Sequence, residues 1–119
     1  MDSLFRHLEG MPRRLAVAPR LGSIGFLMEK RSIVNRTFEG WNYSFILKGE
    51  GFYDLDGVRY PVHAPTVLTQ WPDKPMHYGP YESWRELYLI YPAACGEHLK
   101  SLGLLPENRP FWQIGSPRL

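Results

Sequence analysis

Asp56-Gly57 stands between two short alternating runs, "FYDL" and "VRYPV". Asp-Gly is a favoured two-residue hairpin loop, because both central positions need positive φ. If these two residues are the loop, Leu55 faces Val58, Asp54 faces Arg59 and Tyr53 faces Tyr60. One face of the hairpin then carries the apolar and ring pairs, and the other an opposite-charge pair. Each such pair contributes ~0.2–1 kcal/mol. A slip of one residue would spoil all three together, so the register is strongly specified. A chain built around this hairpin is committed to antiparallel sheet.

The neighbouring segments agree. "WNYSFILK", residues 41–48, alternates with period two: Trp41, Tyr43, Phe45 and Leu47 share one face, and Asn42, Ser44, Ile46 and Lys48 the other. The ring-rich face reads as the better-buried one, the lining of an interior. "GEG", residues 49–51, lets the chain bend or bulge. Further strands are expected at 22–29, 66–71 and 84–91. Residues 93–103 change character: Leu99 and Leu102 lie one turn apart and Gly103 can stop a helix. Eleven glycines and eleven prolines punctuate these segments. Many short strands with one late helix predict an all-β fold, a small barrel or double-sheet jelly roll.

The chain has 119 residues, enough for one domain with its own core. Aromatic residues make up 14%, which favours an ordered, ring-rich interior. The net charge is +2 with the basic residues scattered, so no stripe suited to duplex DNA is present. Cys95 is the single cysteine, which excludes an internal disulfide. It sits where the last strand gives way to the helix, and reads more simply as a small buried hydrophobe than as a nucleophile. No signal-like or membrane-spanning run occurs, so a cytoplasmic protein without membrane partners is expected.

"WPDKPMHYGPYESW", residues 71–84, is the richest candidate for function. It reads as a stiff loop in which Pro72, Pro75 and Pro80 hold Trp71, His77, Tyr78 and Trp84. Rings with polar handles suit the C–H faces of a sugar or a planar acid. Arg31 or Arg36 could clamp a hydroxyl or carboxylate. The simpler alternative makes Trp71 and Trp84 core residues, His77 a turn cap and the arginines solvated. His7, His63, His77 and His98 form no close pair, so no metal site is expected. No catalytic triad or paired-carboxylate spacing is visible either, so no catalytic residue is assigned and no enzyme or cofactor is expected.

Residues 41–91 resemble the cupin-like N-terminal domain of AraC-type transcription regulators. In that family a strand ends in Gly-x-Gly, matched by Gly49-Glu50-Gly51. A hairpin follows, then a proline-opened loop ending in His and Tyr, matched by Pro72, His77 and Tyr78. A last strand begins near Trp84-Arg85-Glu86. Where the family has Ala-Gly-Asp, this chain has Ala64-Pro65-Thr66. The likeness covers about residues 20–105. It implies a cupin-like jelly-roll barrel with a short C-terminal helix, binding a sugar-like effector and forming a homodimer. DNA would be touched only by a helix-turn-helix domain absent from this chain. Arg31, His77 and Tyr78 fall where arabinose-sensing members have pocket residues, with Arg36 competing for the role of Arg31 and Trp84 lying close by. With Tyr43 and Trp71 these make seven expected ligand-binding residues. Residues 1–20 would be an arm, 21–105 the barrel and first helix, and 106–119 a connection onward. The rivals are a stand-alone cupin enzyme, an isomerase or metal-dependent oxygenase, and a dimerisation module with a filled barrel.

Overall fold

The computed structural model describes residues 3–7, 21–103 and 111–113. The strands run β1 (Ser3–His7), β2 (Ser23–Lys30), β3 (Val34–Thr37), β4 (Trp41–Leu55), β5 (Val58–His63), β6 (Thr66–Gln70), β7 (Pro75–Tyr91) and β8 (Phe111–Gln113), with α1 (Gly96–Ser101) after β7. All named pairings are antiparallel. Among the described residues the fold is therefore mainly antiparallel β with one short α-helix after the last long strand, as the alternation and turn residues predict.

β4 and β7 organise the molecule. The first half of β4 pairs with β6 and with the second half of β7, which also pairs with β2. The second half of β4 pairs with β5 and with the first half of β7, which also pairs with β3. Each long strand thus serves two layers: β1-β2-β7-β4-β6-β8 and β3-β7-β4-β5. Both bend where the register shifts, between Gly49 and Gly51 on β4, opposite Trp84 and Pro80 on β7. Gly49 has φ +106, a region that favours glycine. A Cβ on Gly51 would lie 2.0 Å from the Gly79 carbonyl oxygen, so only glycine lets the strands approach there. The expected bend at Gly49-Glu50-Gly51 is this corner.

The hairpin has the expected register: Leu55 opposite Val58, Asp54 opposite Arg59 and Tyr53 opposite Tyr60. Asp56 and Gly57 both have positive φ, as such a loop requires. A 3-10 turn, Ala93–Cys95, leads into α1, and Gly103 (φ +72) follows it. Leu99 is buried, whereas Leu102 is exposed.

Three expectations are corrected. The stretch 71–84 is not one stiff loop: the turn ends before Pro75, and β7 runs unbroken from there. Pro75 is the first residue of its strand and Pro80 sits at the register shift, two places where a missing N–H is tolerated. Second, the ring-rich face of strand 41–48 is not the interior. Asn42, Ser44 and Ile46 are buried on the inner face, while on the other Tyr43 is buried, Trp41 and Phe45 are half-buried and Leu47 is exposed. Third, β3 lies in a region where no strand was expected. Of the expected arm and connection, residues 3–7 form β1 on β2 and residues 111–113 form β8 on β6. The rest of both segments is outside the described residues.

The core between the layers is Phe38, Ile46, Tyr53, Val62, Leu68, Met76, Tyr78 and Trp84. Its rings are stacked: Tyr78 lies 5.8 Å from Tyr53, 6.4 Å from Trp84 and 6.5 Å from Phe38 between centroids. The Tyr53 hydroxyl donates to the Thr69 carbonyl at 2.5 Å. Among the described residues no helix is long and apolar enough to cross a membrane.

Candidate functional site

The stacked rings fill only part of the space between the layers. Beside them lies a cavity of about 470 Å³, bordered by β2, β3, the inner face of β4 and both halves of β7. That volume suits a small-molecule site. Its polar lining comes from Lys30, Ser32, Asn35, Arg36, Asn42, Tyr78, Glu86 and Tyr88, and its apolar lining from Leu27, Ile33, Val34, Phe38 and Ile90.

Register explains why these residues meet. Glu86, Tyr88 and Ile90 alternate along β7 and face the cavity together. Ile90 is opposite Asn42 on β4, and Glu86 is opposite Leu27 on β2. On the other layer, Val34 is opposite Tyr78 and Arg36 opposite Met76. Cross-strand partners share a face, so β3 presents Val34 and Arg36 to the same space.

Glu86 is the electrostatic centre. It is 2% exposed, and its Oε1 accepts from Lys30 Nζ at 3.2 Å and from Trp84 Nε1 at 2.9 Å. Lys30 Nζ also lies 5.4 Å from the centre of the Tyr78 ring. Burial pushes the Tyr78 phenol well above its usual range; the Glu86 charge adds to this, and a hydrogen bond with Ser44 partly opposes it. Tyr78 therefore stays neutral and can donate or accept a hydrogen bond. The Arg36 guanidinium sits 4.4 Å from the centre of the Phe38 ring.

Of the seven expected residues, the cavity takes Arg36 and Tyr78. Trp84 is adjacent, as a core residue that stacks on Tyr78 and holds Glu86. The other four do not line it. Arg31 is exposed and pairs with Glu29. Tyr43 is on the opposite face of β4, edge-on to Tyr91 at 5.9 Å, and burial pushes its phenol up to about 12. Trp71 packs against the core cluster. His77 follows the alternation of β7: with Tyr78 facing inward, its neighbour faces outward. Its Nδ1 is 2.8 Å from Asp54 Oδ2, and Asp54 also receives Arg59 Nε at 2.7 Å and an Arg59 terminal nitrogen at 2.9 Å.

This outer cluster carries a pH prediction. The Arg59 hydrogen bonds, and after them the His77 contact, lower the Asp54 carboxyl from 3.8 to about 2. A folded pKa below the unfolded one gives stability that is present above pH 3.8 and lost as pH falls toward about 2. Because the cluster is solvent-screened, the effect should stay below about 1 kcal/mol. Urea midpoints measured across that window should fall less steeply for Asp54→Asn than for the wild type. Equal slopes would show that the cluster adds nothing.

Sequence reasoning missed Lys30, Asn42, Glu86 and Tyr88. The available signal was the period-two set Trp84, Glu86, Tyr88 and Ile90: a carboxylate amid rings on one face of an apolar strand. Among the described residues no three His, Cys, Asp or Glu side chains converge. The cavity lining has one carboxylate, Glu86, which is already held by Lys30 and Trp84, so it does not fit a metal cage.

No family model and no curated protein matches the sequence. Solved structures do match in fold. The EutQ protein of Clostridium difficile aligns with a TM-score of 0.53 at 17% identity, over 76% of this chain and 68% of its own. Ethanolamine utilization protein Q of Salmonella typhimurium LT2 gives 0.52 at 22% identity, over 60% of this chain and 58% of its own. The fold is a cupin-like barrel. The polyketide cyclase RemF of Streptomyces resistomycificus shares it, with a TM-score of 0.50 at 17% identity over 76% of this chain and 65% of that one. The chain thus spans well under two thirds of the Salmonella protein and about two thirds of the other two. At these identities the likeness is one of fold.

Proposed function

We propose that this chain is the ligand-binding and dimerisation domain of an AraC-type transcription regulator, with a small polar molecule bound in the cavity between its sheets. One observation carries the binding half of this reading: the cavity is walled by hydrogen-bonding groups of both kinds and opens beside a ring core that shares Phe38 and Tyr78 with its wall. A purely structural barrel would gain more from filling that space with apolar side chains. The regulator half rests on the order of elements, strand, Gly49-Glu50-Gly51 corner, hairpin, proline turn and last strand. Signalling then requires only that the ligand bind one arrangement of the domain or its dimer better than another.

A stand-alone cupin enzyme is the second reading, favoured by the likeness to a polyketide cyclase and by Glu86 and Tyr78 standing in one cavity. Thermal-shift screening with sugars, polyols and sugar acids tests ligand binding. A ligand at about one hundred times its Kd should add about 2.7 kcal/mol of stability. Tyr78→Phe should weaken that shift, whereas His77→Ala should leave it intact. A panel with no active member would remove the binding reading, and conversion of a bound compound to product would favour the enzyme.

A further inference from the structure

Two features of the cavity call for a ligand of one chemical kind. The first is a surplus of positive charge. The charged lining residues are Lys30, Arg36 and Glu86, and Lys30 is spent on Glu86. Among the described residues Arg36 has no carboxylate within ion-pair distance, and its guanidinium is held against the Phe38 ring. A planar, always-charged fork beside a cavity matches a carboxylate, which it can bind through two parallel hydrogen bonds.

The second feature is a buried amide pair with one donor and one acceptor left over. The Asn42 side-chain amide donates to Gln70 Oε1 and to Ser44 Oγ. This leaves Asn42 Oδ1 and Gln70 Nε2 buried without a partner, although the two residues are 3% and 0% exposed. Exchanging oxygen and nitrogen on both amides reverses the bond between them and still leaves one donor and one acceptor. Buried polar groups are nearly always paired. Asn42 lines the cavity, so the missing partner can come from its contents. A ligand hydroxyl can donate to an acceptor or accept from a donor, so it can serve the unpartnered side-chain atom of Asn42 whichever way that amide is turned.

We infer that the cavity takes a small hydroxylated carboxylate, with the carboxylate on Arg36 and a hydroxyl on Asn42. This rests on the reading that the cavity binds a small polar ligand, and it narrows the class from neutral sugars to sugar acids and hydroxy acids.

The test is calorimetric titration of the full chain with three matched probe sets. Gluconate, glucuronate and galacturonate carry both groups; glucose, galactose and sorbitol carry hydroxyls alone; hexanoate and adipate carry carboxylates alone. At least one member of the first set should bind about tenfold or more tighter than its counterparts in the other two. Arg36→Gln, at an exposed position, should remove that advantage over the neutral sugars. Asn42→Leu, checked for folding by circular dichroism, should remove the advantage over the plain carboxylates. If Asn42→Leu fails to fold, the wild-type comparison of hydroxylated with plain acids decides that half. Neutral sugars binding as well as their acids, plain acids binding as well as hydroxylated ones, or acid binding indifferent to Arg36→Gln would each overturn the inference while leaving the cavity reading in place. Binding by no probe in any set would overturn both.

Discussion

Trp84→Ala should destabilise the domain by about 3–5 kcal/mol, the usual cost of truncating a buried large ring. The indole is 2% exposed and stacks on Tyr78, which in turn stacks on Tyr53 and Phe38. Its removal opens the centre of the ring core and takes a hydrogen-bond donor from the buried Glu86. A domain of this size has about 5–15 kcal/mol in total, so the variant should sit close to unfolding at ambient temperature. Trp84→Phe keeps a ring and part of the packing but loses the donor and the rest of the indole volume. Its urea midpoint should fall between those of the wild type and Trp84→Ala. A loss below about 1 kcal/mol for Trp84→Ala would mean that the ring is not in the core.

Lys30→Met should have a similarly large effect for a different reason. Lys30 and Glu86 have side chains only 9% and 2% exposed, and they meet at 3.2 Å. Removing one partner of a buried ion pair leaves an uncompensated charge, which costs about 3–5 kcal/mol. Lys30→Met combined with Glu86→Gln removes both charges and keeps an acceptor for Trp84. The double variant should therefore recover most of the loss, and that non-additivity is the diagnostic. If the double variant is as unstable as Lys30→Met alone, the loss comes from packing of the lysine stem.

The hairpin and the corner were legible because their determinants are local. Asp56-Gly57 fixes its own register, and Gly49 and Gly51 mark a place where no side chain fits. The inward face of β4 was not legible. Hydrophobicity favoured Trp41, Tyr43 and Phe45, yet the inner face carries Asn42 and Ser44, because part of the interior is a polar cavity. Tyr43 is itself buried on the other face, so burial on both faces made the ranking uninformative. Placing His77 and Tyr78 in one pocket overlooked the continuation of β7 through 77–78, a consequence of reading Pro72, Pro75 and Pro80 as loop markers. Arg36 and Tyr78, singled out as a guanidinium and a ring, do line the cavity. Lys30 was missed because its pairing with Glu86, 56 residues away, leaves no local trace, whereas Glu86 had one in the alternation of β7 that was not used.

Since β4 and β7 each contribute to both layers, neither layer can be completed without the other. Folding of such a molecule is expected to be cooperative and slow, governed by contacts between distant parts of the chain. A half-built barrel would have to hold both long strands in place while one end of each lacked its neighbours, so a single finished sheet is not expected to persist as a stable intermediate at equilibrium.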